Sequence, residues 1–373
     1  MNQKCFSRLM GLMAALCSYF TLAHTVLAQG SLTPPTAPGP TMVSLSQIYA
    51  KLDARIAITN SATPVILNQP GSYYLTTNLT TPPGVAITIA TNDVTLDLNG
   101  YTVSSSSLGA SATAILLNNN LRNITIRNGI IQSGVTNKAG TYSGPGFYYG
   151  IYGTSLTNIT VSGISVSGVQ YDGIFLGTAN STLVENSVVM TAGSYGIEAS
   201  TVKTSIASDC GNTAIYADLV SDSRGISSGS GYGIIGNTVL NCYGQAIGAI
   251  GLSATTAQNC YGYCTGASAG INATTAQNCY GFSINGAGLG ADEAQNCYGY
   301  CSSGSGAGVS VTHAAQNCYG YSYNSYGLYA YIAMACVGTS TGYYGLVATI
   351  GNSSIGTTVS GTPESVTYKY NMP

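Results

Sequence analysis

From residue 61 onward, apolar and polar positions alternate in short bursts, and the bursts return every 18 to 21 residues over most of the chain. "AQNCYGY" at 257–263 shows the pattern, which recurs as "AQNCYGF" at 276 and again at 294 and 315. With its cysteine as a zero point, Cys242, Cys260, Cys279, Cys297, Cys318 and Cys336 are spaced 18, 19, 18, 21 and 18. The series continues without cysteine at Ser187, Ser205, Ser223 and Ser354. Longer spacings carry it upstream to Asn99, Gly129 and Ile164, making 13 positions. Glycine plus an aliphatic residue lies eight positions before most zero points, as at Gly270-Ile271. Before Cys318 the gap is nine, at Gly308-Val309, so that coil has one of its extra residues there.

Small apolar, Gly, Thr and aromatic residues in period-2 alternation predict strands. One short unit per 18 to 21 residues is too small for a helix pair. It fits a β-solenoid, whose coils bury their inner faces only by stacking. A left-handed hexapeptide solenoid needs an aliphatic every six residues, yet Ile271 is followed at that step by Gln277 and Ser283. The pattern therefore predicts an all-β, right-handed parallel β-helix of about 13 coils, on the order of 60 Å long at roughly 4.8 Å per coil.

Stacked coils can be read as columns. Three before zero the column is apolar, hence inward, and shrinks from Val184, Val202, Val220 and Val239 to Ala257, Ala276, Ala294 and Ala315 where cysteine enters the zero column. Close packing predicts that trade of volume. Two before zero points outward. It pairs Asp97 with Arg127 and Glu185 with Lys203, then runs through Gln258, Gln277, Gln295 and Gln316 as an amide ladder.

After zero come two aromatic columns on one outward face: Tyr243, Tyr261, Tyr280, Tyr298 and Tyr319, and Tyr263, Phe282, Tyr300 and Tyr321. Between them Gly244, Gly262, Gly281, Gly299 and Gly320 point inward. The two columns read either as structural stacking or as an aromatic surface that binds sugar rings or another protein. The inserted "TNKAGTYSGPGFYYG" (136–150) adds Tyr142, Phe147, Tyr148 and Tyr149 as further stacking candidates, or is a loop folded over the side of the rod.

A line of thiols does not converge on one point as tetrahedral zinc requires, so no metal is expected. Nothing calls for a cofactor. The six cysteines read as buried free thiols or as bridges between neighbouring coils. Cys264 and Cys301 share another column, with Ser283 between them, and should not pair.

Composition adds exclusions. Only 6% of residues are charged and the net charge is −2, so bulk charge recruits neither nucleic acid nor an anionic membrane. Lys4 and Arg8, the apolar stretch 9–27 and "TVLAQ" predict a signal peptide over 1–28. A Pro-rich linker follows at 29–41, then an N-terminal cap at 42–60 in helix or strand form, the β-helix at 61–361 and a capping tail at 362–373. The exported chain would have no membrane span. Its nine cysteines, an odd number, would sit in a secreted, periplasmic or cell-surface location, with at least one free or intermolecular.

"NQPGSYYLTTNLT" (68–80), "ITIATNDVTLDLNGYTV" (87–103) and the runs of "NCYGY" resemble exported bacterial parallel β-helix repeat proteins of the pectin-lyase-like superfamily, over roughly 64–360. The resemblance implies a right-handed coil. It also implies a choice between binding proteins and polysaccharide lyases or glycoside hydrolases. Charges cluster at 172–224: Asp172, Glu185, Glu198, Lys203, Asp209, Asp218, Asp222 and Arg224. Asp209, Asp222 and Arg224, on adjacent coils around the zero column, are the candidate catalytic trio. No Asp run matches the superfamily's calcium-binding or hydrolase motifs, and His313 has no triad partner. The first expectation is therefore a structural, adhesion or carbohydrate-binding role, with a polysaccharide or a cell-surface protein as partner. Catalysis is the second.

Overall fold

The computed structural model describes Ser44, Ile48 and residues 55–59, 64–105, 112–178 and 181–372. The expected signal peptide and linker lie outside these residues, as does most of the expected cap at 42–60. The chain divides into two units, 1–54 and 55–373. In the first, the Ile48 N–H donates to the Ser44 carbonyl at 2.9 Å.

The second unit is an all-β parallel solenoid of about 16 turns. Each regular coil has a seven-residue strand, a two-residue corner, a four-residue strand and a Gly-rich return. Ile271–Gln277 and Tyr280–Ser283 form one such coil. The pairings are parallel and in register: Ala257 faces Ala276 and Ala276 faces Ala294. The count exceeds the expected 13 because three levels lack the repeat motif. Ile56–Ile58 pairs with Gly71–Leu75, which pairs with Val94–Asp97. At the other end Glu364–Tyr370, within the expected tail, pairs with Leu346–Asn352 along its length. Short strands joined by irregular turns carry no periodic signal, so these levels escape sequence counting.

The core is a line of small and branched side chains. Val184, Val202, Val220, Val239, Ala257, Ala276, Ala294 and Ala315 are all buried, as are the cysteines and serines of the zero column. The glycine between the tyrosines is compulsory. A Cβ on Gly281 would lie 2.1 Å from the Gly288 carbonyl oxygen of its own coil. The extra residue before Cys318 forms a bulge, with the register against Leu289–Gln295 shifting across Thr312-His313. His313 is thus part of an insertion, rather than the replacement of a repeat threonine that its position suggests. Among the described residues, no buried side-chain nitrogen or oxygen lacks a hydrogen-bond partner.

The outward charge pairs differ from expectation. Asp97 meets Arg127 at 3.1 Å, but it is buried and also meets Arg55 at 3.5 Å. Glu185 and Lys203 are in register. The ion pairs among the described residues are those of Asp97 and Lys369–Glu364, so Glu185 and Lys203 stay apart. Both side chains reach into water, where an exposed pair gains little over hydration. The glutamine ladder forms from Gln277 onward, Gln277 donating to Gln295 at 3.2 Å and Gln295 to Gln316 at 3.3 Å.

Candidate functional site

The corner before each cysteine decides the surface chemistry. Asn241, Asn259, Asn278, Asn296 and Asn317 all have φ between 51° and 54°. Asparagine tolerates this left-handed region better than other side-chained residues. The shared conformation aligns the five amides down the rod. Each Nδ2 donates to the Oδ1 one coil earlier, at 3.1 to 3.2 Å, and Asn241 donates to the Asp222 carboxylate at 3.0 Å. The chain of amides is therefore polarised, and ends on a negative charge. Sequence reasoning passed over this column. Its signal was an asparagine before the zero point in five successive coils, with Asp222 one coil before them.

Beside the amides stand the tyrosines. Tyr243, Tyr261, Tyr280, Tyr298 and Tyr319 stack with ring centroids 4.8 to 5.2 Å apart and planes within 13° of parallel. Tyr263, Phe282, Tyr300 and Tyr321 stack at 4.8 to 5.4 Å, with planes within 18° of parallel. Arg224 closes the first stack, its guanidinium 4.9 Å from the Tyr243 ring centre. This corrects the idea of a flat aromatic surface for sugar rings. Parallel rings at coil spacing cover most of each other's faces, so the stack offers edges and hydroxyls. Burial pushes the Tyr298 phenol up to about 12, so it stays a neutral donor.

Amides and phenols border an open groove of about 890 Å³ along the corner, reaching from Ile206 to Tyr298. Asp222 and Arg224 line it; Asp209 does not. The Asp209 carboxylate instead accepts hydrogen bonds from Asn137 (2.6 Å), Tyr142 (3.2 Å) and Thr191 (2.9 Å). It anchors the small antiparallel hairpin Thr136–Lys138 and Thr141–Ser143. The structure thus divides the expected trio. Asp222 terminates the amide ladder, Arg224 terminates the tyrosine stack and Asp209 holds the insertion. Within that insertion Phe147 is wholly buried and Tyr142 nearly so, which removes both as stacking platforms. Their apolar rings fill the space between the inserted segment and the rod.

Tyr148 and Tyr149 remain at the surface in a cluster. Tyr148 stacks on the exposed Tyr171 at 5.1 Å, Tyr149 tilts against Tyr152 at 4.4 Å, and Tyr152 stacks on Phe175 at 5.3 Å. Two acids lie beside this cluster. Asp172 is buried and accepts from the Tyr195 N–H at 2.9 Å. Glu198 stands on the outer face between Phe175 and Tyr216, its register partners. Burial pushes Asp172 up to about 6, and the Tyr195 N–H only partly offsets this. Burial first, and then the nearby Asp172, push Glu198 up to about 7. A second aromatic group, the half-buried Tyr326 and Tyr344 with the exposed Tyr343, marks the C-terminal returns. Sequence reading placed both acids in the charged region but had no means to see that they adjoin.

No protein-family model matches the chain, nor does any curated protein sequence. Among solved structures, 86% of the chain aligns with 62% of ORF18 of Geobacillus virus E2, at 12% identity and a TM-score of 0.40. The chain thus spans less than two thirds of that protein. Some 80% of it aligns with 88% of the A-module of mannuronan C-5 epimerase AlgE4 from Azotobacter vinelandii, at 13% identity and a TM-score of 0.35. The AlgE6 A-module gives 81%, 89%, 12% and 0.32 in the same order. Likeness this slight carries no argument about the site; the fold rests on the strand register itself.

Proposed function

We propose that this chain is an exported, right-handed parallel β-helix protein that binds an extended polysaccharide along its corner groove, in a structural or adhesive role at the cell surface. One observation carries the reading: the groove repeats. Each coil offers the same amide, phenol edge and backbone corner, and four successive coils from Asn241-Tyr243 to Asn296-Tyr298 contribute them to one channel. A polymer of like units can meet the same donors and acceptors at every step. Each contact is weak, and their linkage along one ligand supplies the affinity. A glycan array followed by calorimetry on the hits tests this. Tyr261→Ala and Tyr298→Ala should each weaken binding several-fold. Unchanged affinity in both variants, or no polysaccharide hit at all, rules the reading out.

The second reading, a polysaccharide lyase or glycoside hydrolase, now centres on Asp172 and Glu198. Two carboxyl groups with raised and different proton affinities beside aromatic rings suit a division into acid and base. Product formation from uronic-acid polysaccharides, with and without calcium, tests it. Activity abolished by Glu198→Gln supports that reading, and activity indifferent to the change removes Glu198 from it.

A further inference from the structure

The hydrogen-bonding groups that the corner groove leaves unused narrow what can lie in it. Asn241, Asn259, Asn278 and Asn296 are exposed along its length. A side-chain amide has two N–H donors and an oxygen with two lone pairs. Within the ladder each of these amides donates once and accepts once. Each therefore keeps one N–H and one lone pair for a ligand. The phenols add a third group. The Tyr243 hydroxyl donates to Gln245 at 2.9 Å. Those of Tyr261, Tyr280 and Tyr298 have no hydrogen-bond partner among the described residues. Burial raises the proton affinity of these phenols, so they stay neutral. Successive coils thus repeat one set: a free amide donor, a free amide acceptor and a free phenol.

Charge is confined to one end. Among the described residues that line the groove, Asp222 and Arg224 are the charged ones. Both lie one coil before Asn241-Tyr243 and both are engaged, Asp222 by the Asn241 amide at 3.0 Å and Arg224 by the Tyr243 ring. From Asn259 to Tyr298 the walls carry no charge. A sugar hydroxyl suits such walls because it both donates and accepts. It can give its proton to the spare amide lone pair and accept from the spare N–H or the phenol. A carboxylate only accepts. In the same place its oxygens also face the amide lone pair, and no cation on these coils offsets the hydration it loses.

We propose, on the reading of this groove as a polysaccharide site, that its ligand is a neutral polysaccharide held through its hydroxyls, and that a polyuronate of the same linkage is rejected. The selection is made by the matched donors and acceptors of the uncharged coils. The acid at the end of the groove plays no part in it.

The test is calorimetry of the full-length chain against matched oligosaccharides of equal length and linkage, one with a C6 hydroxymethyl group and one with a C6 carboxylate. The pairs are glucan with glucuronan, mannan with mannuronan and galactan with galacturonan. In every pair that binds, the neutral member should bind about tenfold tighter, the effect of one mismatched polar contact. Equal affinity, or tighter binding of a uronate, overturns the proposal and leaves the polysaccharide reading standing. Binding to none of these oligosaccharides overturns the proposal; the polysaccharide reading falls with it only if the wider glycan array is empty as well. Tyr261→Phe with Tyr280→Phe and Tyr298→Phe removes the free hydroxyls and keeps the stack, as Phe282 does between Tyr263 and Tyr300. That variant should bind the neutral member several-fold more weakly, and unchanged affinity overturns the proposal. Asp222→Asn removes the acid, with asparagine at ease at the φ of 50° found there and still able to accept from Asn241. The preference for the neutral member should persist in it. Loss of that preference would show that one charge at the end of the groove repels the uronate, and overturns the proposal.

Discussion

Asn278 combines two tasks that a substitution can separate. Its backbone sits at φ 53°, and its amide both donates to Asn259 and accepts from Asn296. Asn278→Gly removes the amide but keeps the backbone at ease; Asn278→Ala removes the amide and strains the backbone. The alanine variant should lose about 1–2 kcal/mol more than the glycine variant, measured by urea unfolding. Equal losses would mean the corner relaxes out of the left-handed region. The acids at 172 and 198 give a different residue-scale prediction. Both are more firmly protonated in the folded chain than their ordinary values of 3.8 and 4.5, reaching about 6 and about 7. Folding therefore binds protons, and the stability tied to them is fully present below the ordinary carboxylate range and lost as pH rises through 6 and 7. The urea midpoint should fall between about pH 4 and about pH 7.5, and Asp172→Asn with Glu198→Gln should flatten that fall. An equally steep fall in the double variant would assign it to other groups. Neither acid advertised its partner in sequence. They are 26 positions apart, and their meeting depends on the irregular 23-residue spacing that separates Ile164 from Ser187.

At the scale of the strand, the tyrosine stack shows which inferences the repeat could and could not support. Period-2 alternation through "YGYC" placed both tyrosines outside and the glycine inside, and each is found there, with the cysteine buried as well. It could not tell how the rings lie. Their planes follow from coil spacing: side chains in register at this distance stack, and stacking hides the faces that a sugar would use. The asparagine corner was equally hard to foresee, because a left-handed turn leaves no mark on hydrophobic periodicity. Stacking makes Tyr280 a central strut, with Tyr261 at 4.9 Å on one side and Tyr298 at 4.8 Å on the other. Tyr280→Ala should cost about 1–3 kcal/mol, from two aromatic contacts of about 0.5–1.5 kcal/mol each. Tyr280→Phe keeps both contacts and should leave thermal unfolding nearly unchanged. A large loss in the phenylalanine variant would shift the credit from stacking to the hydroxyl.

The whole solenoid is a one-dimensional assembly, and its stability is close to a sum of coil and neighbour terms. Interior coils are covered on both sides. Glu364–Tyr370 pairs with Leu346–Asn352 and with no other strand among the described residues. Its side chains are largely polar or exposed, with Tyr368 and Tyr370 more than half exposed, which suits an end. Beneath it Leu346 is wholly buried, and Met372 packs against the core where a Cβ on Gly351 would touch its sulfur. A chain ending at Thr362 loses that cover. It gives up only one neighbour interface, so its unfolding midpoint should fall less than that of Gly281→Ala, which forces a methyl against backbone in the middle of the rod. It also exposes a seven-residue strand edge whose buried positions are Leu346, Ala348 and Gly351. Such an edge pairs with other chains unless blunted. The shortened chain should therefore associate with rising concentration in sedimentation velocity, while the full chain holds its sedimentation coefficient over the same range. Concentration-independent behaviour of the shortened chain would show that the final strand is an ordinary coil, and that the edge beneath it needs no cover.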